Sequence, residues 1–446
     1  MKANTKKIIT RFPPSPTGFL HIGSVRTALF NYLFSAHEGG KMYLRFEDTD
    51  RERSKKEFED DIVEGLHWLG IPYEMPAIAR QSERTDIYKA HFQTLLNSGR
   101  AYEAEISENN PAKKVVRFKN PNTVITFGDL VRGPVTFDTT ELGDFVIARS
   151  VDEPLYHLAV VIDDHEMGIT HVIRGEDHIS NTPRQILMLE ALGFKRPLYA
   201  HIPLILAPDR TKLSKRHGAV SVNEYRRMGF IPEALLNYLV FLGWNPGTNR
   251  ELFTLSELVN EFGLEHVQKG GAIFSTEKLL WFNREHIKML SREEFRKRLY
   301  EFAPELLKDP SCEILLPLMH ERANTLKEAA DLISSSEFSF VRGVAPYDSA
   351  KLIPAVKGKT VGKEDIQKHF AYIRQALEAI PNKEFSAEKV KEAIWEYAAE
   401  KGRGEVLWPM RFALSGAERS PDPFTIAGVI GKEETLARLL SASKKL

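Results

Sequence analysis

Apolar positions in the first hundred residues change period in a set order. Lys7-Ile8-Ile9-Thr10-Arg11-Phe12 reads as a short buried strand, and Pro13-Pro14-Ser15-Pro16-Thr17-Gly18 cannot continue it, so a loop must follow. From Ser24 onward, Val25, Ala28, Leu29, Tyr32, Leu33 and Ala36 recur at helical spacing until Gly39-Gly40 stops them, and Met42 to Phe46 reads as a second strand. Strand, loop, helix, strand predicts a right-handed crossover in a parallel sheet.

The alternation returns near Thr170. His171 to Arg174 reads as a strand, Gly175-Glu176-Asp177-His178 as a polar turn, the stretch through Ile186 and Leu189 as a helix stopped by Gly193, and His201 to Leu206 as a strand. Between the two sets, Lys114 to Phe118 and Gly143 to Ala148 read as short β pieces broken by Gly133-Pro134. After about Pro232 helical periods dominate. Ile366, Phe370, Ile373, Leu377 and Ile380 form one stripe, and Val390, Ile394 and Ala398 form another, begun by Ser386 and ended by Gly402. The pattern predicts an α/β fold: a Rossmann-type parallel-sheet domain split by an insertion, then a mainly α-helical C-terminal region. Expected segments are 1–100 and 166–235 for the two halves, 101–165 for the insertion, then 236–305 and 306–446, with Pro346 to Gly362 as a linker.

Composition narrows this only in places. A chain of 446 residues is too long for one core, so several are expected. With 61 Lys+Arg against 61 Asp+Glu, overall charge draws in neither a polyanion nor a membrane, and any nucleic-acid site must come from local clustering. The single Cys312 excludes a disulfide framework and a thiolate zinc cluster, and suits a reducing compartment. Lys2, Lys6 and Lys7 are followed by Arg11 before an apolar stretch develops, so no secretion signal is expected. The apolar runs around Leu155 to Ile162 and Ala234 to Trp244 fall short of the ~18 residues a spanning helix needs, so a soluble, cytoplasmic protein is expected.

Two segments carry chemistry. Ser15-Pro16-Thr17-Gly18 and Leu20-His21-Ile22-Gly23-Ser24 precede a helix N-terminus, where backbone N–H groups suit an anion and Gly18 and Gly23 admit a phosphate. A His-x-Gly pair by itself equally suits a plain helix cap. Asp209-Arg210-Thr211-Lys212-Leu213-Ser214-Lys215-Arg216-His217-Gly218 packs four cations into a loop suited to clamping a polyphosphate, although charge runs often only face water. Both follow strands in the two halves of one split sheet, where ligands gather at the carboxyl ends. The cluster Asp163, Asp164, His165, His171 and His178 invites a metal reading, but its spacing follows no ligand pattern.

With both segments in place, the chain resembles class I aminoacyl-tRNA synthetases: His21-Ile22-Gly23-Ser24 is similar to their HIGH signature, and Lys212-Leu213-Ser214-Lys215-Arg216 to their KMSKS signature. Further similarity is to bacterial glutamyl-tRNA synthetases, through Arg11 to Gly18, Arg45-Phe46-Glu47-Asp48-Thr49-Asp50, Tyr156-His157-Leu158-Ala159, Val161-Ile162-Asp163-Asp164 and Ile173-Arg174-Gly175-Glu176-Asp177-His178. Glutaminyl enzymes typically carry Glu and Asn where this chain has Ser15 and Thr17.

The resemblance implies ATP-dependent ligation of L-glutamate to tRNA through glutamyl-adenylate. It assigns His21, Lys212 and Lys215 to catalysis, and Ser15, Thr17, Gly18, His21, Gly23, Ser24, Lys212, Ser214, Lys215 and Arg216 to ATP with Mg²⁺. Arg11, Ser15, Glu47, Tyr156, Arg174 and His178 would hold glutamate, with guanidinium groups gripping its side-chain carboxylate. Ser24 stands where the signature has a second His, which implies one lost donor. Tyr102-Glu103-Ala104-Glu105-Ile106 lacks the Cys residues many family members use for zinc, so no zinc or other resident metal is expected. The insertion would bind the tRNA acceptor end, 236–305 would contact the stem, and 306–446 would bind the anticodon through residues such as Trp408, Arg411 and Arg419. Two tRNA sets stay open, tRNA-Glu alone or tRNA-Glu with tRNA-Gln, and a monomer is expected. The alternatives are a catalytically silent tRNA-binding homologue, opposed by His21, Lys212 and Lys215, and a paralogue glutamylating a modified tRNA base, opposed by the long helical region after Glu301.

Overall fold

The structure is a computed structural model and describes residues 7–76, 79–105, 114–150, 152–213, 221–304, 306–344, 346–354 and 361–446. It forms two compact units, Met1–Asn283 and Arg284–Leu446. In the first, strand Ile9–Phe12 pairs in parallel with Lys41–Leu44. It ends where Pro13 and Pro14 withdraw two ladder donors. The connecting helix Ile22–His37 starts two residues before Ser24 and buries Ile22, Val25, Ala28, Leu29, Phe30 and Leu33.

Thr170 joins the two halves. Its backbone N–H donates to Ile9 O at 2.9 Å, and its hydroxyl accepts from Ile9 N at 2.9 Å. Strand His171–Gly175 therefore lies beside Ile9–Phe12, and pairs on its other side, in parallel, with Leu198–Ile202. The parallel strands run in the order Lys41–Leu44, Ile9–Phe12, His171–Gly175, Leu198–Ile202, which is a Rossmann-type layer.

The single strand expected over His201 to Leu206 does not form. Pro203 cannot donate to a ladder, so Leu198–Ile202 ends before it and Ile205–Leu206 pairs separately with Ala272–Ile273. Gly133-Pro134, expected as a break, opens strand Gly133–Asp138 instead: Gly133 turns the chain at φ +84°, and the strand lies at the sheet edge, where proline is tolerated. Its partner Val124–Asp129 meets Leu198–Ile202 at Tyr199 opposite Asp129, so this hairpin extends the main sheet. Ala101–Glu105, Lys114–Phe118, Phe145–Ser150 and Glu153–Pro154 make a separate antiparallel sheet, with the β piece expected from Gly143 starting at Phe145.

Helix Tyr156–Glu166 buries Leu158, Ala159 and Ile162 together with two acids, Asp163 and Asp164. Asp163 accepts from Gln81 Nε2 and Arg84 Nε, both at 2.7 Å, and from the Tyr88 hydroxyl at 2.9 Å. A carboxylate without solvent is stable only when so paired.

The second unit is helical among its described residues. Lys363–Glu378 buries Ile366, Phe370, Ile373 and Leu377. Ala387–Lys401 buries Val390, Ile394 and Ala398, with Ser386 accepting from Lys389 N as its cap and Gly402, at φ +108°, ending it. Within the expected linker, Leu352 and Val361 are buried, and residues 355–360 lie outside the described residues. Among the described residues no helix is long and apolar enough to cross a membrane.

Replacing Asp163 with alanine strands the buried Arg84 guanidinium, and urea unfolding should report a loss of roughly 3–5 kcal/mol.

Candidate active site

The loop after Phe12 is pinned by its backbone. Glu47 N donates to Pro14 O at 2.9 Å and Lys55 N to Pro16 O at 3.0 Å, so the proline run lies along the residues that follow the second strand. The chain then enters helix Ile22–His37 through His21. The His21 ring folds onto the helix start, with Nδ1 accepting from Ser24 N at 3.2 Å and Nε2 lying 3.1 Å from Ser24 Oγ. Gly23 makes room for this: a Cβ there would stand 3.1 Å from His21 Nδ1. In this conformation His21 is a helix cap, and it also borders a large cleft.

That cleft has a volume of about 1010 Å³ and is lined by both chemistry-bearing segments. From the first come Ser15, His21, Gly23 and Ser24, and from the second Lys212 and Leu213. Thr17 and Gly18 sit on the same loop as Ser15 but do not line the cleft. Lys212 Nζ is bound to Asp177 Oδ2 at 2.7 Å, and Asp177 also lines it. Ser214, Lys215 and Arg216 lie outside the described residues. Leu213 and Ser221, the nearest described residues on either side of 214–220, both line the cleft, and Ser221 is bridged to His21.

Arg11, Glu47, Tyr156, Arg174 and His178, together with Ser15, line the same cleft. Beneath them runs a charged network. Arg11 Nε donates to Asp164 at 3.3 Å, Arg45 Nη1 donates to Asp164 Oδ1 at 2.7 Å, and Arg45 Nη2 donates to Glu47 Oε1 at 2.9 Å. Burial pushes the Asp164 carboxyl up, but the Arg11 and Arg45 guanidiniums outweigh it and hold it below its ordinary range. For Glu47 burial wins, and its carboxyl is raised despite Arg45 and Arg11.

Arg174 is the unbalanced member. Its Nη2 donates to Thr182 Oγ1 at 2.8 Å and its Nε to His201 Nε2 at 3.2 Å, yet Nη1 is buried without a hydrogen-bond partner. Arg174 lines the cleft, and a guanidinium that keeps an unpaired nitrogen there suits an anionic oxygen. Beside it, burial first and the Arg174 charge second push the His178 imidazole down to about 4, so it is neutral near pH 7. Asn181 Nδ2 lies 3.1 Å from His178 Nδ1, and the Tyr156 hydroxyl 3.5 Å from the same nitrogen. The cleft thus joins a cationic corner to a carboxylate, Glu47, and suits a ligand carrying both signs of charge.

Arg45, named in the sequence only within a matching motif, and Asp129 and His201 carry no expected site role, although Arg45 and Glu47 two apart on an extended segment share a face. Asp163 and Asp164 serve the arginines and Gln81. Among the described residues no group of three or more His, Cys, Asp or Glu is arranged to hold a metal ion. Glu176 turns away to Leu204 N, at 2.7 Å, and to Arg132. In the second unit Trp408 Nε1 donates to Lys351 O at 3.1 Å, Arg411 donates to Glu418 O and Ser420 O, and Arg419 is exposed.

Comparison with known proteins gives the family. A family model for the class I tRNA synthetase catalytic domain (E and Q) matches residues 7–110 and 103–281, and one for an anticodon binding domain matches 284–443. The chain belongs to the class I tRNA synthetase family of the E and Q type. Within it, a glutamate--tRNA ligase of Nitratidesulfovibrio vulgaris is 41% identical over 467 residues, covering 97% of this chain and 98% of the relative. A glutamate--tRNA ligase of Thermodesulfovibrio yellowstonii is 40% identical over 96% of this chain and 98% of its own length. The crystal structure of a glutamate tRNA ligase from Elizabethkingia meningosepticum, in complex with its amino acid, superposes with a TM-score of 0.82 at 32% identity, over 99% of this chain and all of that one.

His178 and His157, the latter also lowered to about 4 by burial and Arg184, should stay neutral in the fold well below an ordinary imidazole. Below about pH 6.5 the unfolded chain binds protons that the native state refuses, so stability is full above that value and declines as pH falls toward about 4. NMR titration of the imidazole resonances, paired with unfolding at pH 7 and 5, reads both effects.

Proposed function

We propose that the protein joins L-glutamate to tRNA-Glu using ATP, in two steps within this cleft. The α-carboxylate of glutamate attacks the α-phosphate of ATP and pyrophosphate leaves. The terminal ribose hydroxyl of tRNA then attacks the acyl carbon, and AMP leaves. Neither step needs a protein nucleophile, so the chain contributes alignment and charge.

Arg174 and Arg11 receive the side-chain carboxylate, with Tyr156, His178 and Ser15 around it, and Glu47 takes the ammonium. The observation that carries this is the partnerless Arg174 Nη1 in a cleft that also holds Glu47, His21 and Lys212. A guanidinium pairs fully with a carboxylate and only partly with glutamine's amide, which favours the acid. ATP binds along Ser15, His21, Gly23 and Ser24, with Thr17 and Gly18 on the loop that carries Ser15, and Lys212 leaves Asp177 for its phosphates, joined by Ser214, Lys215 and Arg216. Mg²⁺ accompanies those phosphates as part of the substrate and neutralises their charge. The segments 101–165, 236–305 and 306–446 serve the acceptor end, the stem and the anticodon, the last through Trp408, Arg411 and Arg419. The working unit is a cytoplasmic monomer, and its tRNA set is either tRNA-Glu alone or tRNA-Glu with tRNA-Gln.

Two measurements test this. Glutamate-dependent ATP–pyrophosphate exchange in the presence of tRNA-Glu is expected, with glutamine and aspartate inactive; absence of exchange with tRNA-Glu and Mg²⁺ present sinks the proposal. Charging of purified tRNA-Gln alone checks the wider tRNA set.

Arg174→Gln should raise KM for glutamate roughly 100-fold with little change in KM for ATP. Lys212→Ala should lower kcat far more than it weakens glutamate, and equal losses in both would contradict its role.

A further inference from the structure

Neither His201 nor Asp129 lines the cleft, yet both are fully or nearly buried and stand directly behind Arg174. His201 lies on strand Leu198–Ile202, and Asp129 ends the strand Val124–Asp129 that meets it. His201 Nδ1 is 2.6 Å from Asp129 Oδ2, and His201 Nε2 is 3.2 Å from Arg174 Nε.

The donors fix the protons. Arg174 Nε can only donate, so His201 Nε2 must present a lone pair, and the ring proton must sit on Nδ1, facing Asp129. Asp129 is well suited to receive it. Its carboxylate also accepts from the backbone N–H groups of His201 at 3.0 Å, Val131 at 3.0 Å and Arg132 at 2.9 Å. Burial opposes that charge, but the His201 hydrogen bond and the Arg132 and Val131 amides hold the carboxyl below its ordinary range. Burial keeps His201 neutral. The opposite tautomer would set an N–H against the Arg174 N–H and push the guanidinium out of line. With Nε and Nη2 both engaged, the remaining Nη1 is held in one orientation.

We propose that Asp129 and His201 are positioning residues for Arg174: Asp129 sets the His201 tautomer, and the imidazole holds the guanidinium where Nη1 meets the acid group of the substrate. This rests on the glutamate reading of the cleft. It makes acid-over-amide selectivity depend on a carboxylate supplied by the hairpin, out of contact with the substrate.

The test is tRNA-Glu charging by the full-length protein, as wild type, Asp129→Asn, His201→Gln and the double variant, with KM measured separately for glutamate and ATP. Asparagine supports the wrong tautomer, so Asp129→Asn should raise KM for glutamate about tenfold while KM for ATP stays unchanged. A glutamine carbonyl accepts from Arg174 with no tautomer to set, so in the His201→Gln background Asp129→Asn should add nothing. An equal rise in both backgrounds, a parallel rise in KM for ATP, or no rise at all overturns the proposal. If His201→Gln does not fold, the ratio of the inhibition constant of glutamine to the KM for glutamate in Asp129→Asn decides: a fall of about tenfold supports the proposal and an unchanged ratio overturns it. Wild-type protein that charges nothing with glutamate refutes the underlying reading instead, so the two failures are distinguishable.

Discussion

Three buried arginines, Arg11, Arg45 and Arg174, meet too few carboxylates, and the rest of the catalytic unit is arranged around that shortfall. A guanidinium removed from water is costly unless its charge and its donors are matched. Asp164 answers Arg11 and Arg45, Glu47 answers Arg45, and Asp163 closes the network through Arg84 and Tyr88. Arg174 has neutral partners, Thr182 and His201, and keeps one nitrogen free. The fold tolerates this imbalance at the edge of a cleft, where a ligand can correct it.

The imbalance sits where it does because the strands are parallel. Arg11, Arg45 and Arg174 fall at or just beyond the carboxyl ends of three such strands, so Arg11 and Arg174 reach the crevice that an open parallel sheet leaves there and Arg45 lies beneath it. Residues separated by more than 150 positions become partners, as Arg11 and Asp164 do. Helix Ile22–His37 adds its positive end to the same space, with Gly23 letting the His21 ring lie against it. Lys212, paired with Asp177, adds a cation to the same cleft.

The second unit spends its polar groups differently. Arg411 closes the turn after its own helix on Glu418 and Ser420, and Trp408 binds the Lys351 carbonyl beneath the Arg411 guanidinium. These contacts engage backbone carbonyls. For that reason the residues expected there to meet tRNA are harder to single out from the chain than those of the cleft.

Much of this was written in local order. Apolar period alone marked the strand ending at Phe12, the helix after it and the stripes of Lys363–Glu378 and Ala387–Lys401, since burial of one face at a fixed repeat is a property of neighbours in sequence. The loop glycines, His21 and Lys212 were visible for the same reason. Short range also misled: Pro203 divided what read as one strand, and Gly133-Pro134 opened a strand where a break was expected. What no local pattern encodes is pairing across the fold. That Asp164 serves Arg11, that Asp129 faces His201, and that Arg174 is left one partner short depend on which strands become neighbours, and the long-range burial that decides this leaves no period in the chain.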